Sequence, residues 1–309
     1  MNFSAWIKKK VQKNYQNMQP KETVGIIAGS GMLPVMLVDF LKNQQKDVFV
    51  ISLKGHANKS LFPNDVNLKE VRLGAVGTTF KLLKKHHVKE IVFIGGVKRP
   101  SLKEIYPDLK GLSFLTKLSL KALGDDGLLR LIISEVEKEG FKVKGIHELM
   151  PNVLVPSGVL TNKAPSKSDW SDILRAREVA KLLGQADVGQ AVISQQGMIL
   201  ALEGIEGTKE LIKRTKQLKR KGGGGVLYKA VKPHQEKRID MPTIGPDTVQ
   251  CVHDAGFIGI GVDAFNVLLA EPEKTIKLAN KLNIFIVGVE ENDLKKVVQK
   301  TVKKNKSEK

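Results

Sequence analysis

Within GGGGVLYKAVKPHQEKRIDMPTIGPD, residues 222–247, a glycine run leads into an apolar strand that ends among cations and one carboxylate. Lys229, Lys232, Lys237 and Arg238 supply the charge that phosphate oxygens require, and glycines let backbone N–H groups approach an anion closely. Asp240 is the only acid between Glu236 and Asp247, which makes it the natural seat of a divalent ion or an activated water. A phosphate-handling site has this composition. A flexible hairpin followed by a solvated basic strand has it too.

Four further segments could carry chemistry. AGSG, residues 28–31, follows a strand and precedes a helix, where N–H groups and the helix dipole favour phosphate, and Ser30 adds a hydroxyl beside Gly31. It is neither a Walker loop nor a full dinucleotide fingerprint, and a tight strand-to-helix turn needs glycine anyway. In GGVKRP, residues 95–100, Gly95 and Gly96 at a strand end would admit a base or ribose, with Lys98 or Arg99 on phosphate; a plain glycine turn competes. GDDG places Asp125 and Asp126 at a helix start, where capping accounts for one acid and leaves the other for a metal or a sugar hydroxyl. In EGIEGT, residues 203–208, Glu206 and Thr208 are ligand candidates, unless Thr208 is only an N-cap. The six histidines lack zinc-site spacing, no GxSxG elbow is present, and Cys251 sits on a helical pattern where burial is the default.

These segments need a scaffold that alternates. From Val24 the chain reads strand, glycine turn, helix, strand, with further strands at 70–76, 91–95 and 141–146 and helices at 78–87 and 126–139. Fully apolar strands alternating with helices predict an α/β fold with a Rossmann-like parallel sheet over residues 24–152. A passage rich in Pro and Gly, residues 153–168, reads as a linker. Residues 169–309 predict a mixed α+β domain: a helix at 169–183, a hairpin of VGQAVIS and GMILALE, a helix at 208–219, the strand VLYKAV, a helix at 246–255, then FIGIGV and IFIVGV. A Lys-rich tail follows from Asp293. Residues 1–23 read as a basic amphipathic extension, with Phe3, Trp6, Ile7 and Val11 on one helical face, suited to an anionic lipid surface or to packing on its own domain.

With 51 Lys and Arg against 32 Asp and Glu, the formal charge is +19, so polyanions are expected neighbours. Aromatic residues make up only 5%, and no basic segment interleaves them as a base-stacking platform would, so nucleic acid ranks below phosphorylated substrates and anionic lipid. One cysteine excludes a disulfide framework and fits a reducing, cytoplasmic compartment. No uncharged apolar run reaches the roughly 18 to 20 residues of a membrane span.

Taken together, GIIAGSGMLP, IGGVKRP, GDDGLLR, EKEGFKV with HELMP, VGQAV, ALEGIEGT, KAVKPHQEKRIDMPTIGPDT and GIGVDA resemble the UDP-2,3-diacylglucosamine pyrophosphatases of lipid A biosynthesis that are not metallophosphoesterases. The resemblance runs from about Val24 to Val289, leaving both basic ends outside it. It implies two domains with substrate between them, and hydrolysis of the diphosphate to UMP and 2,3-diacylglucosamine 1-phosphate by water at the α-phosphorus, with Mg2+ or another divalent ion assisting. It implies an essential acid at Asp240, here assigned to metal and water with Asp125 as a second metal candidate. Lys229, Lys232 and Gln235 are assigned to the phosphates, Ser30, Gly31, Gly95 and Gly96 to the nucleotide side, and Asp126, Glu206 and Thr208 to substrate. The partners implied are a lipid-linked UDP-sugar and the cytoplasmic face of the inner membrane, without nucleic acid; a homo-oligomer stays open. Two rivals remain: a nucleotide-cofactor-dependent oxidoreductase or transferase using AGSG, and a non-catalytic basic protein binding RNA or membrane.

Overall fold

A computed structural model describes residues 22–97, 107–119 and 125–290. The amphipathic extension up to residue 21, Lys98, Arg99 and the Lys-rich tail lie outside the described residues, as do the side chains of Asp125 and Asp126. The chain divides into two units, one formed by Met1–Leu115 and Val136–Val143, the other by Thr116–Glu135 and Lys144–Lys309.

In the first unit the apolar runs become β1 (Thr23–Ala28), β2 (Val48–Leu53), β3 (Asn67–Val71), β4 (Val88–Ile94) and β5 (Lys142–Lys144), in the order β3-β2-β1-β4-β5. The pairs β1–β2, β2–β3 and β1–β4 are parallel, the arrangement of a doubly wound sheet. Helices α1 (Leu33–Asn43) and α2 (Val76–Lys85) accompany it, and α3 (Leu109–Ser119) and α4 (Asp125–Lys138) each give residues to both units. β3 lies three residues earlier than the sequence suggests, and Val76 opens α2 instead of closing a strand. β3 is an edge strand with mostly exposed side chains, so its apolar end at Val71 carries the only strong hydrophobic signal.

The second unit is built on a six-stranded mixed sheet of order β6-β13-β11-β9-β7-β8. Its strands are β6 (Gly158–Val159), β7 (Ala191–Gln195), β8 (Met198–Leu202), β9 (Val226–Lys229), β11 (Gly259–Asp263) and β13 (Phe285–Val289); β10 (Thr243–Ile244) and β12 (Leu268–Leu269) pair separately. β9, β11 and β13 are parallel, whereas β7 runs antiparallel to both β9 and β8. After the short α5 (Ile146–Leu149), the passage read as a linker is built into this unit. Gly158 and Val159 pair with β13, and Val155 is fully buried with its N–H on the Val267 carbonyl.

Strand alternation sorts the core onto two faces. On one face Ile173, Ala176 and Ala180 of α6 (Lys167–Gln185) meet Val226, Tyr228 and Phe285. On the other, Leu211 and Ile212 of α7 (Gly207–Thr215), Val249 and Val252 of α8 (Pro246–Asp254) and Ala279 of α9 (Pro272–Lys281) meet Leu227, Ile260 and Ile286. The glycines of GIGVD make room for the α6 face. A Cβ at Gly259 would stand 2.0 Å from the Phe285 ring, and one at Gly261 2.8 Å from the Tyr228 ring.

Candidate active site

The carboxyl ends of β9 and β11, the start of β7 and the end of β8 lie on one side of the mixed sheet, because β7 is antiparallel to its neighbours on either hand. Carboxyl ends of parallel strands are the usual ligand edge of such sheets. Lys229 ends β9 on the same face as Leu227, two residues back. Lys229 is only 8% exposed, and its ammonium donates to the Thr243 carbonyl at 3.0 Å. Burial pulls the Lys229 ammonium below the ordinary lysine value, and the Glu203 and Asp240 carboxylates oppose that shift. A desolvated cation with a neutral carbonyl as hydrogen-bond partner gains much from an incoming phosphate.

Beyond β9 the chain turns through KPHQEKRID. Gln235 organises the turn: its side-chain oxygen accepts from the Lys232 N–H at 3.1 Å, and its Nε2 donates to Asp240 Oδ2 at 2.6 Å. The Asp240 N–H in turn donates to the Glu236 carbonyl at 2.9 Å. Thus a local loop, and not a long-range contact, sets the Asp240 carboxylate. Lys232 is 9% exposed and its ammonium reaches Asp187 at 2.7 Å, and Arg130 of α4 donates to the His234 carbonyl at 2.6 Å. Lys229, Lys232, Gln235 and Asp240 therefore share one edge.

The other two cations of the motif have different partners. Lys237 donates to Asn266 at 2.7 Å, and Arg238 grips Glu236 with Nε and Nη2, both at 2.9 Å. That ion pair, first among its causes, holds the Glu236 carboxyl below the usual range.

Glu203, Gln190, Arg177, Tyr228 and Asp263 were not selected from the sequence. Glu203, 6% exposed, accepts from the Thr208 hydroxyl at 2.6 Å and the Gln190 N–H at 2.9 Å. Asp263 accepts from the Tyr228 hydroxyl at 2.8 Å, from Arg177 Nε at 3.1 Å and, through Oδ2, from the Val231 N–H at 3.1 Å. It ties the start of the loop after β9 to α6 through a buried ion pair. Burial, then the Asp263 charge, hold the Tyr228 phenol well above its usual range, so it stays a donor. GIGVDA is the one signal that could have exposed Asp263: a carboxylate closing a buried apolar strand needs a partner.

Two sequence candidates make hydrogen bonds within their own segment. Glu206 binds Arg214 Nη2 at 2.8 Å, and Thr208 is the second residue of α7, not its N-cap, with its hydroxyl on Glu203. The Gly222–Gly225 run forms a turn with positive φ at all four residues, laced by Gln195 Nε2 to the Gly223 and Arg220 carbonyls.

In the first unit, Ser30 and Gly96 form a bridge. The Ser30 N–H and hydroxyl both donate to the Gly96 carbonyl, at 2.8 and 3.0 Å, and the Gly96 N–H returns to the Ser30 carbonyl at 3.0 Å. The Gly29 N–H meets the Ile94 carbonyl. Gly95 and Gly96 thus admit the neighbouring turn's backbone. Gly31, at φ +95°, is the position of this turn where an added Cβ would meet open space.

Among the described residues no group of three or more His, Cys, Asp or Glu is placed to hold a metal, and no helix is long and apolar enough to cross a membrane.

Comparison with known proteins gives two family matches, the LpxI N-terminal domain over residues 23–153 and the LpxI C-terminal domain over residues 156–287. The chain is also 37% identical over 276 residues to the UDP-2,3-diacylglucosamine pyrophosphatase LpxI of Caulobacter vibrioides, covering 86% of this chain and 97% of that protein.

Proposed function

The chain belongs to the LpxI family, and from that premise we propose that it hydrolyses UDP-2,3-diacylglucosamine to UMP and 2,3-diacylglucosamine 1-phosphate in lipid A biosynthesis. It is a hydrolase of a diphosphate bond, and its placement outside the metallophosphoesterases is part of the proposal. The observation that carries the site assignment is the convergence of Asp240, Gln235 and two nearly buried lysines, Lys229 and Lys232, at one sheet edge.

Water attacks the α-phosphorus, a new P–O bond forms, the bond from that phosphorus to the bridging oxygen breaks, and the sugar 1-phosphate leaves with the bridging oxygen. Gln235 holds the Asp240 carboxylate, which orients the water and accepts its proton. Lys229 and Lys232 balance charge gathering on the phosphate oxygens. Asp240 also fits magnesium, which ordinarily takes one or two carboxylates with substrate phosphate oxygens and water; Asp125 is the second candidate ligand. When bound, the ion would withdraw charge from the diphosphate. Glu203 fits less well, since Thr208 and Gln190 occupy it.

Ser30, Gly31, Gly95 and Gly96 are assigned to the nucleotide side, with Asp126, Glu206 and Thr208 as further substrate contacts. Two acyl chains must leave water, so an apolar groove belongs to the second unit. The protein works on the cytoplasmic face of the inner membrane as a peripheral protein, with the basic extension assisting.

Asp240→Ala tests the assignment. Turnover should fall by roughly 10³-fold while the melting temperature and substrate binding hold; normal turnover in that variant removes Asp240 from the chemistry.

A further inference from the structure

The EGIEGT turn presents a large apolar side chain to solvent from a rigid mount. Ile205 is 101% exposed, yet both of its flanks are fixed. Before it, Arg214 Nη2 grips the Leu202 carbonyl at 2.5 Å, and Glu203 is buried against Thr208 and Gln190. After it, Glu206 holds Arg214 through both Nε and Nη2, and Gly207 takes φ +78° to enter α7. A chance exposed isoleucine on a loop needs no explanation. One held at the tip of a turn by three side-chain clamps calls for something that covers it.

Its surroundings say what that is. From Ile205 to Lys221 the chain carries seven Lys and Arg against two Glu. Lys209, Lys213 and Lys216 fall at spacings of four and three, one stripe of the helical surface, and all three are exposed, while Leu211, Ile212 and Thr215 turn to the core. Leu218, 50% exposed, puts a second apolar side chain beyond the end of the same helix. No aromatic residue lies between Leu202 and Lys221, so the segment offers nothing for a base to stack on. A second copy of the chain, docked symmetrically, would bring the same cations face to face. An apolar tip ringed by lysine and arginine fits an anionic bilayer.

We propose that the Ile205 turn and the exposed face of α7 dock the enzyme on anionic lipid, with Ile205 entering the headgroup boundary. The consequence is positional. The N–H of Glu203, two residues away, donates to the carbonyl of Ala191, which pairs with Lys229, so the docked turn brings the candidate catalytic edge to the bilayer. The purpose of such docking rests on the lipid substrate proposed above, but its detection does not.

The test places an environment-sensitive NBD label on Ile205→Cys in the full chain, with Cys251→Ala removing the native thiol. With vesicles of phosphatidylglycerol and phosphatidylcholine, the emission should shift to the blue and resist iodide quenching, and pure phosphatidylcholine should give neither effect. Unlabelled Ile205→Asp should partition about tenfold less onto the same anionic vesicles. It should keep the wild-type rate on detergent-dispersed UDP-2,3-diacylglucosamine and lose rate only when substrate is presented in vesicles. A label that stays aqueous while the protein sediments with vesicles overturns the proposal in favour of another surface. A blue shift without vesicles that grows with protein concentration overturns it in favour of self-association, and binding of poly(U) without binding of vesicles overturns it in favour of nucleic acid. If the wild-type protein docks but releases no UMP from dispersed substrate, the catalytic reading fails and the docking surface stands.

Discussion

At the carboxyl edge of the parallel sheet in the first unit, backbone meets backbone. Ser30 and Gly96 exchange hydrogen bonds, and Gly29 and Gly95 stand so close that a Cβ on either would lie within 2.6 to 2.7 Å of the other turn. At the corresponding edge of the mixed sheet, side chains meet instead: a lysine from β9, a glutamine and an aspartate from the following loop, and carboxylates at 187, 203 and 263. The first edge is fixed by shape and leaves no room for a Cβ at Gly29 or Gly95. The second is fixed by charge and hydrogen bonding, and tolerates no unpaired partner.

Substitutions should break the two edges in different ways. The largest expected effect is at Asp263, because Asp263→Ala leaves Arg177 buried without its carboxylate and frees the Val231 N–H. A loss of about 3 to 5 kcal/mol in urea unfolding is expected, with activity falling as the loop loosens; a loss below about 1 kcal/mol would mean that the ion pair does not fasten the loop. Next comes Gly29→Ala, whose methyl would sit 2.6 Å from the Gly96 carbonyl oxygen. It should cost roughly 1 to 3 kcal/mol through overpacking, read from the same denaturation curves, and an unchanged midpoint would show that the two turns can part freely.

The smallest effect expected is a pH dependence at Lys229. Burial lowers its affinity for a proton in the folded chain, whereas the unfolded chain keeps the ordinary value of 10.5. Between the lowered value and 10.5 the unfolded state binds more protons, so wild-type stability gains as pH rises through that window. Lys229→Met should lack this gain. Parallel pH profiles for the two proteins would contradict the buried environment assigned to Lys229.

The scaffold was largely legible in the sequence because its strands are apolar runs punctuated by glycine, and VGQAVIS with GMILALE gave the hairpin outright. Three of the described helices were not legible, and of these α5 spans only four residues. α9 buries chiefly Thr275 and Ala279, too small a stripe to mark a helical period, and α3 carries Gly111 within its first turn. The 153–168 passage looked like a linker because an edge strand of two residues has no periodicity to read. In the candidate site, the cations of residues 229–238 and Asp240, the only acid between Glu236 and Asp247, stood out by composition. Their partners did not: Asp187 lies 45 residues from Lys232, and Asp263 lies 86 from Arg177. Which lysine faces a carbonyl and which a carboxylate is decided by strand order, and composition is blind to that.

In the proposed reaction this chain opens a diphosphate by water attack at the α-phosphorus. Hydrolysis of UDP-2,3-diacylglucosamine in oxygen-18 water, with both products weighed by mass spectrometry, tests it most directly. One heavy oxygen in UMP and none in 2,3-diacylglucosamine 1-phosphate is the expected result; label in the sugar phosphate, or no release of UMP at all, would contradict the account.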